Sequence, residues 1–150
     1  MTENMQLTST STAKGSPVQA AAALVGAAFL LVGVLGFIPG ITTHGDALQA
    51  AGHQSHALLL GLFQVSVLHN VVHLLLGVAG IALARNVAGA RTFLFGGGAV
   101  YLALWLYGLA VGQSSQANFV PLNTADDWLH FVLGLGMIAL GVVLSRRPAT

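Results

Sequence analysis

Four long apolar runs divide this 150-residue chain, and they hold almost no charge. They fall at about Val18 to Ile38, Ala57 to Ala84, Thr92 to Val111 and Ala125 to Leu144. A helix needs ~20 apolar residues to cross a bilayer, and each run reaches that length. Charged residues are 6% of the chain, against about 25% in an ordinary soluble domain. So few charges cannot build a water-facing surface, so lipid must be the solvent for most of the chain. The sequence predicts an all-α fold: a four-transmembrane-helix bundle over residues 17–145, with polar tails at 1–16 and 146–150. The second run is the longest, so its helix is expected to tilt or to project beyond the bilayer.

The segment Met1 to Ser16 is polar and rich in Ser and Thr, which predicts disorder. No basic stretch leads directly into the first apolar run, and that run exceeds the ~7–15 residues of a signal-peptide core. It reads as an anchor that stays. Pro17 suits the first turn of helix 1, and Pro39-Gly40 stops it. Asn123 or Thr124 can cap helix 4, placing Asp126 and Asp127 in the first turn, where the helix dipole favours negative charge.

Orientation follows from the five basic residues. Lys14, Arg85, Arg91, Arg146 and Arg147 all fall on one side of a four-helix topology, while the loops at 39–56 and 112–123 contain none. Basic residues stay in the cytoplasm, so both termini are expected there. A net charge of +1 gives no basis for nucleic-acid binding. The absence of cysteine excludes disulfides, thiolate metal sites and cysteine nucleophiles.

Helices 2 and 4 read as copies of one pattern. Asn70-Val-Val-His73-Leu-Leu-Leu-Gly77 aligns without gaps on Asp127-Trp-Leu-His130-Phe-Val-Leu-Gly134, and Ile-Ala-Leu follows four residues later in both. Gly36 and Gly40 match Gly108 and Gly112 more weakly. The pattern implies two repeated helical hairpins related by an axis along the membrane normal. Glycines recur through all four runs and allow close helix approach, as in tight bundles or oligomers.

The polar residues in the runs fall on faces. Ser66, Asn70, His73 and Gly77 form one stripe, and Asp127, His130 and Gly134 another. His69 lies one turn before His73, and Asp126 one turn before His130. Lipid cannot hydrogen-bond these groups, so both stripes should turn inward and meet. His130 is expected nearer the outer surface than His73.

Three functions suit such a cluster. In the first, histidine, Asn70 and Asp127 hydrogen bonds simply tie helices together. In the second, the cluster binds a cofactor. A mononuclear transition-metal site would use His69, His73, Asp127 and His130. Alternatively, His73 and His130 are the axial ligands of a haem, with Gly77 and Gly134 making room, for electron transfer or sensing. Asp127-x-x-His130 supplies half of a dinuclear iron pattern, but Asn70-x-x-His73 brings no second carboxylate. In the third, an Asp–His chain serves a small channel or transporter subunit. No charged residue continues that path inward. His44, His53, His56 and Asp46 read as a solvated loop, and Tyr101, Trp105 and Tyr107 as packing and interface residues.

Gly36-Phe-Ile-Pro-Gly40, the stretch Leu62 to His73 and the stretch Pro121 to His130 together resemble the bacterial membrane family known as domain of unknown function 4383. The likeness runs from helix 1 to helix 4 and omits only the tails. It implies a four-helix protein of the bacterial inner membrane and carries no activity. It also implies that His69, Asn70, His73, Asn123, Asp127 and His130 are signature positions. No nucleophile–base pair or cofactor-binding loop is visible, so no enzyme is predicted. The leading expectation is a structural or accessory bundle in the lipid bilayer, with a second copy or a membrane complex as partner.

Overall fold

A computed structural model describes residues 15–145; residues 1–14 of the tail expected at 1–16, and all of the tail expected at 146–150, with Lys14, Arg146 and Arg147, lie outside the described residues. Four helices form: α1 (Pro17–Leu35), α2 (Val67–Leu83), α3 (Val87–Ala110) and α4 (Thr124–Ser145). The fold is an all-α four-helix bundle. Its outside is apolar, with Leu24, Leu75 and Val132 all more than half exposed. Its inside contains His69, Asn70, His73, Asp126, Asp127 and His130, all buried. That inversion suits a chain dissolved in lipid.

Helix α1 starts at Pro17, behind a capping box in which Ser16 N–H donates to Gln19 Oε1 at 3.0 Å. It ends at Leu35, just before Gly36, short of the expected Ile38. Helix α3 begins at Val87 rather than Thr92, because Asn86 caps it by accepting from Gly89 N–H at 2.7 Å. Helix α4 begins at Thr124, with Asn123 Oδ1 accepting from the N–H groups of Ala125 (2.8 Å) and Asp126 (3.0 Å).

Helix α2 departs most from expectation. It has 17 residues, where the apolar run from Ala57 predicted a much longer span. Residues Leu58–Leu59 (β2) and Phe63–Gln64 (β3) pair antiparallel, and β2 also pairs with β1 (Thr42–Thr43). The chain turns through Leu60 (φ 55°) and Gly61 (φ 69°). Ala57, Leu59 and Val65 form a small core against Val32 and Leu35 of α1. The apolarity of this segment therefore serves a cap over the bundle, and hydropathy alone cannot tell such a core strand from a helix turn. Ser66 then caps α2, accepting from His69 N–H at 3.1 Å. Three helices are long and apolar enough to cross a membrane, and α2 is a shorter apolar helix beside them.

The shorter α2 changes the level of its histidine. His73 lies six residues after Val67, and His130 six after Thr124. Each sits ~9 Å into its helix at 1.5 Å per residue. His130 is therefore no nearer its helix start than His73, contrary to expectation.

The helices pack as two hairpins, α1 with α2 and α3 with α4. Gln19 Nε2 donates to Ala84 O at 3.0 Å and closes the end of the first hairpin. Arg91 Nη2 donates to Ser145 O at 2.8 Å and closes the same end of the second. The opposite end carries the cap. There Gly52 N–H donates to Phe119 O at 2.8 Å, joining the α1–α2 connection to the α3–α4 connection.

Candidate functional site: a histidine layer between two hairpins

The two hairpins make corresponding contacts. Adding 72 to an α1 position gives its α3 counterpart (36 to 108), and adding 57 to an α2 position gives its α4 counterpart (70 to 127). A Cβ placed on Gly26 would stand 3.0 Å from Gly77 O, and one on Gly98 would stand 2.9 Å from Gly134 O. Gly77 lies against Leu30, and Gly134 against the counterpart Leu102. These approaches bring backbones together as only glycine permits. Nearer the cap, Gly36 backs onto the Asn70 side chain and Gly108 onto the Asp127 side chain.

Asn70 and Asp127 thus each face α1 or α3 within their own hairpin. Neither hydrogen-bonds to a histidine. Both polar atoms of Asn70 and the Oδ1 of Asp127 are buried without a partner among the described residues.

The histidines do come together, across the hairpins. His69 stacks on His73 with ring centroids 4.6 Å apart and planes 6° apart, and lies 6.4 Å from His130. Tyr101 completes the layer, although its sequence context marked it only as packing. Its ring stacks on Phe29 at 5.3 Å and tilts against His130 at 5.1 Å. Phe29 in turn meets His73 edge-on at 5.7 Å. Phe29 and Tyr101 are 72 residues apart, the same offset as Gly36 and Gly108. Extending that weak glycine match would have singled Tyr101 out.

His73 is fully engaged. Its Nδ1–H donates to His69 O at 3.0 Å, which makes Nε2 the acceptor, 3.3 Å from the Tyr101 hydroxyl that donates to it. His69 and His130 differ: each keeps a buried Nδ1 with no partner among the described residues.

Asp126 and Asn123 stand at the cap. Asp126 Oδ2 accepts from Gln64 N–H and Asn123 N–H, both at 3.0 Å. Asn123 Nδ2 donates to Leu62 O at 2.8 Å. These bonds fasten β3 and its turn to the start of α4.

The cofactor candidates meet this geometry poorly. Among the described residues no group of three or more His, Asp or Glu side chains is placed to share a metal ion. Asp127 faces Gly108 rather than the histidines, and His73 Nε2 is taken by Tyr101. Two aromatic rings, Phe29 and Tyr101, stack between the hairpins at the level of His73 and His130, where a porphyrin would have to lie. Neither a metal held by His69, His73, Asp127 and His130 nor a haem on His73 and His130 fits.

Two crevices reach the histidine layer. One, of about 120 Å³, lies between α1 and α4, with Val32, Leu129 and Leu133 on its walls. The other, of about 320 Å³, lies between α2 and α3, walled by Leu104, Val72 and Leu76. Those residues correspond one to one under the 72 and 57 offsets. His69, His73 and His130 line both. Neither crevice has a lining residue beyond Leu76 on α2 or Leu133 on α4. Past that level the buried core of Phe93, Leu94 and Met137 fills the bundle.

A lipid-facing bundle of apolar helices with a buried polar layer defines a membrane protein of the four-helix class. The model of the family described as Domain of unknown function (DUF4383) matches residues 19–143, and the chain belongs to that family. No curated protein and no solved structure matches the chain.

Proposed function

We propose that this chain is a structural or accessory protein of the bacterial cytoplasmic membrane, without catalytic activity, built from two copies of one helical hairpin. The observation that carries this reading is the use made of its polar residues. Asp126 and Asn123 bond to Gln64 and Leu62, some sixty residues away in sequence, and hold the cap on α4. Tyr101 and His73 bond between the hairpins. Gln19 and Arg91 close the opposite end. Each of these bonds joins residues far apart in the chain.

Arg85 and Arg91 lie at the end away from the cap, which favours cytoplasmic termini and an external cap. The chain has no cysteine, so single cysteines report topology cleanly. A membrane-impermeant maleimide should label Gln116→Cys in intact cells and Ala88→Cys only after lysis. The structural role is tested by elemental analysis of tag-free protein for iron, zinc and copper. Metal at background in wild type is the expected result. Near one metal per chain, lost in His73→Ala and His130→Ala, would overturn the reading in favour of a cofactor.

A further inference from the structure

We infer that the β2–β3 turn, Leu60-Gly61-Leu62, is a membrane anchor that seats its two leucines at the headgroup–acyl boundary of the bilayer around the helices, a contact that rests on the lipid-facing exterior of the bundle and goes beyond its structural role. Three observations point to lipid as the occupant. First, the segment is apolar on both faces. Ala57 to Phe63 contains no polar side chain. Ala57 and Leu59 are buried, whereas Leu60 and Leu62 are 67% and 54% exposed. A strand with one face in water alternates apolar with polar residues. The rest of the cap does expose polar groups, among them Thr43, His44, Asp46, Gln54 and His56. Leu60 also holds φ 55°, a conformation that asparagine or glycine takes more readily than leucine. A water-facing turn gains nothing from leucine at that angle, whereas a lipid-facing one gains an apolar contact.

Second, the backbone of the turn is bonded within the chain. Irregular backbone near hydrocarbon must find its partners in the protein, because lipid tails offer none. The N–H groups of Leu60, Gly61, Leu62 and Val65 donate to the carbonyls of Ile41 (2.8 Å), Leu58 (3.2 Å), Leu59 (3.1 Å) and Ala57 (3.0 Å). Gln64 N–H donates to Asp126 Oδ2 at 3.0 Å, and the carbonyl of Leu62 accepts from Asn123 Nδ2 at 2.8 Å. The last two bonds also hold the turn against the start of α4.

Third, the turn lies at the level of the helix ends rather than beyond them. Leu59 shares a core with Val32 and Leu35, in the last turn of α1. Leu60 lines the α1–α4 crevice together with Val32 and Leu129. Leu129 lies ~7.5 Å along α4 from Thr124, at 1.5 Å per residue. Its neighbour Trp128 is 55% exposed, and tryptophan gathers at the membrane–water boundary. The leucines of the turn therefore continue an exterior that lipid already covers. Helix α2, with 17 residues, spans ~26 Å of a hydrocarbon core ~30 Å thick, and the hairpin before it adds apolar surface at that end.

The test uses the chain, which has no cysteine of its own, with single cysteines carrying a nitroxide in lipid nanodiscs. Collisions are read with oxygen, which concentrates in lipid, and with a charged metal chelate, which stays in water. Gln116→Cys, on the exposed part of the cap, gives the water reference, and Val132→Cys, on the outside of α4, the lipid reference. The oxygen-to-chelate ratio at Leu60→Cys and Leu62→Cys should exceed that at Gln116→Cys by about threefold or more, as for apolar groups seated at the headgroup–acyl boundary. Melting in micelles does not read this contact, because the unfolded chain keeps detergent around the same side chain. Ratios at both turn positions equal to that at Gln116→Cys would place the turn in water and overturn the inference. Low access to both reagents would show a second copy or another protein over the turn, and would overturn it as well. Free chelate access at Val132→Cys would sink the lipid-facing exterior itself and the anchor with it, so the two failures are told apart by the reference position.

Discussion

The first hairpin, α1 with α2, and the second, α3 with α4, make corresponding glycine contacts and differ at several side chains. Both bring their helices together at glycines, Gly26 on Gly77 and Gly98 on Gly134. Both place a histidine six residues into the second helix. The first, however, carries a connection longer by fifteen residues, the difference between the offsets of 72 and 57, and that extra length forms the sheet of the cap. Where the first hairpin has Phe29, His69 and Asn70, the second has Tyr101, Asp126 and Asp127. One hairpin supplies the cap and the other the groups that grip it. The shared contacts are those a bundle needs to close. Two of the differences, Phe29 against Tyr101 and His69 against Asp126, lie where the halves address each other.

The strongest attack on this comparison is at the shared glycines. Gly26→Leu and Gly98→Leu should each force a side chain into the backbone of the partner helix and cost ~3 kcal/mol or more by overpacking. Unfolding of the two variants in mixed micelles should give similar losses. A large loss in one and a negligible loss in the other would break the equivalence of the hairpins.

Asp126 and His69 occupy corresponding positions with different duties. Asp126→Ala strips the partner from two backbone N–H groups, at about 1–3 kcal/mol each. It should also speed hydrogen exchange at Gln64 and neighbouring β-strand amides. His69→Ala removes a side chain whose Nδ1 has no partner among the described residues and should cost less, with the cap still protected. Equal exchange rates at Gln64 in the two variants would show that Asp126 does not fasten the cap.

A smaller effect tests the asymmetry of the aromatic pair. Tyr101→Phe deletes the hydroxyl on His73 and should cost about 1 kcal/mol. Phe29→Tyr offers the first hairpin the hydroxyl it lacks. It should shift the ¹⁵N resonances of His130 and leave stability equal or higher. An unchanged His130 spectrum would mean that the pair is not related as the offsets indicate.

The smallest expected change is in the cap. Leu60 holds φ 55°, a left-handed conformation that asparagine adopts more readily than leucine. Leu60→Asn should raise the melting temperature slightly, by less than ~1 kcal/mol in free energy, with no counterpart site in the shorter connection.

Much of this was legible in the sequence. The start of α4 followed from Asn123 and the two aspartates beside it. The inward turn of His73 and His130 followed from their spacing with Gly77 and Gly134, because a polar stripe on an apolar helix has one place to go in lipid. The start of α2 was not legible. Leu58 to Val65 is as apolar as a helix turn, and its fate depends on Ile41, Val32 and Leu35 offering it a separate core. Nor was the division of labour among the polar residues. Asn70 and Asp127 look like partners for the histidines by spacing, yet the close approach of Gly36 and Gly108 claims both.

The sequence by itself therefore determined the apolar, lipid-suited exterior, the all-α class, the approximate bounds of α1, α3 and α4 and the inward polar faces, since these depend on composition and on the 3.6-residue period of one helix. Only the tertiary structure decided that Tyr101 reaches His73, that Asp126 holds the cap, and that the Nδ1 atoms of His69 and His130 are buried without a partner among the described residues. Those facts depend on which helices approach, and how closely, at positions far apart in the chain. A local pattern shows that a group must be buried, and packing decides what it meets there.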